Sequence, residues 1–152
     1  MPNEHYILSI DQSTNVTKVM LFDEKGSLCA KVERPHRQII TKEGWIDHDP
    51  DEIYRNMLDG IRELLAKSGV HSSQVLAAGL CNQRETAVAW SLNGKPLCYA
   101  VVWKCARGRE IRCQLHEDGY EPQIKKRTAL RPSTLIPVDI SHCMTHNAPL
   151  VL

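Results

Sequence analysis

A chain of 152 residues with 42% hydrophobic and 24% charged residues has the composition of one globular domain and excludes a disordered tail as its main character. Nineteen basic and eighteen acidic residues leave a formal net charge of +1, so no global field points to nucleic acid or an anionic membrane as a partner. The N-terminal Met-Pro-Asn-Glu-His lacks a basic n-region and the apolar run at residues 6–10 is too short for a signal or a membrane span, which places the protein in the cytoplasm as an expectation.

The first strand is predicted over residues 6–10, almost wholly apolar and so expected to be covered on both faces, with Asp11 at its end. Gln12-Ser13-Thr14-Asn15 forms a polar turn, residues 17–22 return as a β-rich run, Asp23-Glu24-Lys25-Gly26 turns again, and residues 27–32 make a third strand. Three strands joined by short turns predict an antiparallel meander. Residues 33–48 show no regular period, broken by Pro35 and Gly44. Asp49-Pro50-Asp51-Glu52 then starts a helix: an N-cap Asp, Pro at the first helical position and acids at the positive end of the dipole. Ile53, Met57, Ile61 and Leu64 recur at helical spacing, and Gly69 ends the helix.

Residues 75–80 read as another buried strand that delivers Asn82-Gln83-Arg84-Glu85 at its C-terminal end, where open α/β sheets place ligands. Residues 87–90 and 97–103 about Asn93-Gly94 predict a hairpin, and residues 107–115 and 122–127 two short helices. From residue 131 to 152 three prolines and the loss of period predict a loosely ordered tail. The six cysteines have no Cys-x-x-Cys spacing, and a reducing compartment disfavours a disulfide framework, so they are read as small apolar residues.

Two clusters can carry chemistry. The turn after the first strand holds an acid, hydroxyls, amides and Lys18: backbone N–H groups and Thr14 can cradle phosphate oxygens, Lys18 supplies charge, and Asp11 can hold a hydrated magnesium ion through water. An ordinary polar hairpin turn is the plainer reading of the same residues. In the second cluster Arg84 donates to, and Glu85 accepts from, the hydroxyls of a polyol, with Trp103 as an apolar wall; a local ion pair and a core-edge tryptophan are the plainer readings. His142, Cys143 and His146 lack an evident fourth zinc ligand, and Lys125-Lys126-Arg127 reads as a solvated helix face.

The stretches Ile10-Asp11-Gln12-Ser13-Thr14, Gly44-Trp45-Ile46-Asp47-His48-Asp49-Pro50, Asn82-Gln83-Arg84-Glu85-Thr86 and Trp90-x3-Gly94-Lys95-Pro96 through Val102-Trp103 occur in this order. Together they resemble the N-terminal part of glycerol kinase and its relatives, the FGGY carbohydrate kinases. The resemblance implies an actin-like, ribonuclease-H-like α/β ATPase fold whose mixed sheet opens with the three-strand meander, in an incomplete N-terminal domain over residues 1–130 followed by a divergent tail at 131–152. It implies ATP-dependent phosphorylation of a polyol or sugar hydroxyl, with Mg2+ near Asp11 and with Gln12, Thr14, Asn15 and Lys18 at the nucleotide phosphates. Arg84, Glu85 and Trp103 match polyol-binding positions. The family usually has Gly where this chain has Ser13. By the same resemblance the general base lies beyond the chain, so this N-terminal fragment is expected to be inactive alone. The alternative is a non-catalytic polyol- or phosphate-binding or regulatory domain of actin-like fold. A small polyol or sugar is the expected partner, with no nucleic acid and no membrane, and homo-oligomerisation of a full-length parent is left open.

Overall fold

The computed structural model describes residues 4–129. The expected tail at 131–152, with His142, Cys143 and His146, lies outside the described residues. In chain order the elements are β1 (Tyr6–Gln12), β2 (Val16–Asp23), β3 (Leu28–Pro35), β4 (Ile39–Ile40), β5 (Ile46–His48), α1 (Pro50–Ser68), a 3-10 turn (Ser72–Gln74), β6 (Val75–Asn82), β7 (Ala100–Val101), α2 (Arg109–Glu117) and α3 (Glu121–Thr128). They divide into two compact units, one of residues up to 37 with 51–83, the other of residues 38–50 with those from 84 onward.

The first unit is a mixed four-stranded sheet of order β3-β2-β1-β6. β1 and β2 run antiparallel in a register that sets Asp11 opposite Lys18, β3 runs antiparallel to β2, and β6 runs parallel to β1. A tight turn with Gly26 at φ 79° joins β2 to β3, a backbone conformation that suits glycine. Leu8, Ile10, Val19, Leu21 and Val32 on one sheet face pack with Leu64 of α1. At Gly60 the helix comes close to the sheet: a Cβ there would stand 2.8 Å from Val19 Cγ2. The apolar stripe Met57, Ile61 and Leu64 that the sequence displays is the face α1 turns to this core.

Two expectations are corrected here. β1 alternates instead of being covered on both faces: Leu8 and Ile10 are buried while Ile7 is exposed, because among the described residues of this unit α1 packs on one face only. Residues 75–80, expected to be a buried strand, form most of β6, which among the described residues ends the sheet and whose residues after Val75 are exposed. An apolar run reports that a strand can be buried, and what stacks on it decides whether it is.

The second unit holds a small antiparallel sheet of order β4-β5-β7. β4 and β5 lie in the stretch whose pattern shows no period, because elements of two and three residues are too short to display one. The expected hairpin about Asn93-Gly94 exists as isolated bridges, Trp90 to Pro96 and Ala87 to Val101, with only Ala100–Val101 counted as strand. α2 and α3 have no buried residues. No helix among the described residues is long and apolar enough to cross a membrane.

Candidate functional site

In the first unit the end of β1 and the start of β2 bring Asp11, Ser13 and Lys18 together. As a cross-strand pair, Asp11 and Lys18 are neighbours by register, and Lys18 Nζ stands 3.3 Å from Asp11 Oδ2. Ser13 donates its hydroxyl to the same oxygen at 2.8 Å. Both side chains are about one-third exposed, 32% for Asp11 and 33% for Lys18, so the pair sits in contact with water and is screened. These two bonds fall on Oδ2. Oδ1 thus offers a lone-pair surface of the kind a hydrated magnesium ion contacts through its waters, while no group of three or more His, Cys, Asp or Glu residues among the described residues forms a cage for a metal. The donor set therefore fits a cation that keeps its own water and brings its remaining ligands from a substrate.

The turn itself is anchored at both ends. Gln12, the last residue of β1, accepts the Gln83 N–H on its carbonyl at 2.7 Å, and the Asn15 carbonyl accepts the His36 N–H at 2.9 Å. Asn15 is exposed and Thr14 half-buried between them.

Beneath the turn lies a network that the sequence reading missed. His36 Nε2 stands 3.1 Å from the hydroxyl of fully buried Thr17, and the Asn56 amide donates both to His36 Nδ1, at 3.2 Å, and to the Pro35 carbonyl, at 3.0 Å. With Asn56 donating to Nδ1, the ring proton resides on Nε2 and is given to Thr17. Burial lowers the His36 pKa below its ordinary value, against a smaller upward pull from Glu52. A neutral imidazole thus ties the start of β2 to α1. Its histidine and threonine are nineteen residues apart, and no local pattern marks the pairing.

In the second unit Arg84 and Glu85 are exposed, and Glu85 adopts φ 67°, the left-handed region that a non-glycine residue rarely enters. Thr86 follows and accepts the Trp103 N–H on its hydroxyl at 3.3 Å, while Ala87 and Val101 exchange backbone bonds. The residue after Glu85 is therefore stapled to Trp103. The expected trio Arg84, Glu85 and Trp103 falls on two neighbouring segments of one unit, and the expected group Asp11, Gln12, Thr14, Asn15 and Lys18 on the turn of the other.

A second missed cluster lies in the motif Gly44 to Pro50. Asp47 of β5 is bonded to Arg107, and both side chains are buried, 10% and 6% exposed. The Arg107 guanidinium carbon stands 4.9 Å from the Trp45 ring centroid, and its Nε donates to Cys105 Sγ at 3.1 Å. The same sulfur receives the Ile46 N–H at 3.4 Å. Burial raises the Asp47 pKa more than the Arg107 charge lowers it; burial also opposes the charge on Arg107, but the Cys105 sulfur and the Asp47 carboxylate outweigh that and hold the guanidinium charged. Asp47 and Arg107 are sixty residues apart, and the available signal was a motif to which the sequence assigned no role. Beside the pair a recess of about 370 Å³ is lined by Glu43, Trp45, Arg107, Arg109 and Glu110 among others, with both signs of charge on its walls.

Comparison with known proteins gives concordant results. The model of the FGGY family of carbohydrate kinases, N-terminal domain, matches residues 6–151. Glycerol kinase 1 of Thermotoga maritima is 44% identical over 126 residues, covering 82% of this chain and 26% of the relative. Glycerol kinase of Shewanella amazonensis is 40% identical over 129 residues, covering 84% of this chain and 26% of the relative. The chain thus spans about a quarter of the length of the curated relatives it matches. Among solved structures, the Plasmodium falciparum glycerol kinase with ADP superposes with a TM-score of 0.83 at 32% identity, over 95% of this chain and 29% of that one. A ligand-bound xylulose kinase from Lactobacillus acidophilus superposes with a TM-score of 0.74 at 24% identity, over 80% of this chain and 24% of that one, and shares the fold. On this evidence the chain belongs to the FGGY family of carbohydrate kinases, and the part of the family it matches is the N-terminal domain.

Proposed function

We propose that this chain supplies the phosphate turn and the polyol-binding residues of an ATP-dependent polyol kinase of the glycerol kinase kind. The observation that carries the reading is the 44% identity to a glycerol kinase over 126 residues, a stretch long enough to hold all the motifs named above. In the reaction, the oxygen of a polyol hydroxyl attacks the γ-phosphorus, the bond from that phosphorus to the bridging oxygen breaks, ADP leaves with the electron pair, and the hydroxyl proton passes to a base. Such a transfer asks the protein mainly to position reactants and to offset charge.

The roles follow from the chemistry of each side chain. Lys18 is paired with Asp11 through a screened contact, so an arriving phosphate can recruit its ammonium group at small cost. Gln12, Thr14 and Asn15 hold the turn around the phosphate oxygens. Asp11 holds Mg2+ through water; when bound, the ion offsets negative charge on the phosphates. Arg84 donates to the polyol oxygens, Glu85 accepts from its hydroxyls in a conformation fixed by the backbone at φ 67°, and Trp103 covers the carbon face. None of the matched motifs carries the base that takes the hydroxyl proton, so the isolated chain binds without turning over.

A coupled ADP-release assay and a calorimetric titration test this reading. The expected outcome is no ADP release above the background of ATP hydrolysis with glycerol present, together with heat of glycerol binding that Arg84→Ala abolishes. Ordinary turnover by the isolated chain would overturn the inactive assignment. Absence of binding to glycerol, other polyols and ATP alike would overturn the site.

A further inference from the structure

Trp103, assigned above to the carbon face of the polyol, lies in neither a helix nor a strand. β7 ends two residues before it at Val101, and Trp103 is the second residue of a four-residue turn in which the Cys105 N–H meets the Val102 carbonyl at 2.8 Å. A side chain on so short a turn has no ladder to fix it, so its placement depends on what holds the ends of the turn.

Both ends are tied to one residue, Ile46 of β5. Its carbonyl accepts the Val102 N–H at 3.2 Å, and its own N–H is given to Cys105 Sγ at 3.4 Å. Sulfur is a weak acceptor, but this one is also gripped by Arg107, whose Nε donates to it at 3.1 Å. The same guanidinium donates through Nη2 to Asp47, the neighbour of Ile46 in sequence. The contacts thus close a ring, from Ile46 to Cys105 to Arg107 to Asp47 and back along the chain to Ile46. The ring is out of water: Val102 and Cys105 are each 1% exposed. Beyond it, the Trp103 N–H goes to the hydroxyl of Thr86, the residue after Glu85.

We propose, on the basis of the polyol-kinase reading above, that Cys105 and Arg107 are positioning residues for Trp103, holding its turn at the spacing from Glu85 that a polyol requires. Arginine suits this place because its fork reaches a sulfur and a carboxylate at once. A lysine ammonium can offset the Asp47 charge but cannot also hold Sγ in the same geometry. Arg107→Lys therefore separates the hold on Trp103 from the burial of Asp47.

The full chain with labelled indole nitrogens gives one N–H signal for each of its three tryptophans, assigned by Trp45→Phe, Trp90→Phe and Trp103→Phe. The expected result is that Arg107→Lys and Cys105→Ala broaden or split the Trp103 signal. The Trp90 signal stays as it was, because Trp90, bridged to Pro96, lies outside the ring. In calorimetry both variants are expected to weaken glycerol binding about tenfold, the scale of freeing one ordered side chain, and to leave ATP binding unchanged. Cys105→Ser, which restores an acceptor, recovers part of both effects. A Trp103 signal that is as sharp in the two variants as in the unsubstituted chain would overturn the proposal. So would the loss of all three indole signals together in both, which would reduce the ring to a support of the fold. No glycerol heat from the unsubstituted chain, with the Trp103 signal still broadened in the variants, would sink the polyol reading and uphold the ring's hold on Trp103.

Discussion

Two carboxylate–cation pairs in this chain look alike on paper and differ in every physical respect. Asp11 and Lys18 meet across adjacent strands at 3.3 Å, each about one-third exposed. Asp47 and Arg107 meet from segments sixty residues apart, nearly out of water, with Trp45 over the guanidinium and Cys105 against its Nε. The screened pair contributes little and opens readily, which is what the proposed phosphate role would ask of it. The buried pair cannot exchange partners cheaply, because each charge depends on the other for what it lost in leaving water. Exposure, more than the identity of the residues, therefore separates a pair available to a ligand from a pair that holds a fold.

Breaking the buried pair is the strongest way to sharpen this contrast. Arg107→Met leaves the Asp47 carboxylate without its charge partner and should cost about 3–5 kcal/mol in denaturant unfolding. A loss below ~1 kcal/mol would show that the second unit does not depend on the pair.

The His36 network is expected to rank next. His36→Leu strands the buried Thr17 hydroxyl and should cost about 1–3 kcal/mol. Its pH signature has a definite sign. The folded pKa of His36 lies below its ordinary value of 6.5, so as pH falls beneath 6.5 the unfolded chain takes up a proton that the folded chain refuses. Stability from this group is fully present above 6.5 and is lost as pH falls through the window down to the lowered folded pKa. Thermal unfolding measured across that window should fall less steeply in His36→Leu than in the unsubstituted chain. Identical slopes would remove His36 from the account.

Lys18→Met tests the exposed pair. It should change stability by less than about 1 kcal/mol while removing the heat of ATP binding in calorimetry. A large stability loss would make Lys18 a structural residue after all. The smallest effect is expected at Glu85, where Glu85→Gly relieves a left-handed conformation at the expense of chain entropy and should raise stability by about 0.5 kcal/mol at most. A destabilised variant would mean that the Glu85 side chain holds its own segment in place.

The legible parts of the chain are those whose signal is local. α1 can be read because its apolar stripe, its Asp49-Pro50 start and Gly69 at φ 68° all fall within one element. The Asp11 turn can be read because a short hairpin sets its own register, which places Lys18 seven residues on directly across from the acid. β4 and β5 escape because two or three residues carry no period. Asp47 and Arg107 escape for a different reason: their motif was visible, but nothing along the chain says which distant cation a buried acid will meet.

By itself, the sequence determined the family, through motifs in a fixed order, and the type of most elements, through periodicities that span a few neighbouring residues. It also put the two expected groups of ligand-binding residues at strand ends and turns. Tertiary structure alone decided which charges are buried and which face of β1 is covered. These are properties of packing between residues far apart in the chain, and desolvation, which makes Asp47–Arg107 a strut and leaves Asp11–Lys18 open to exchange, arises only when that packing forms.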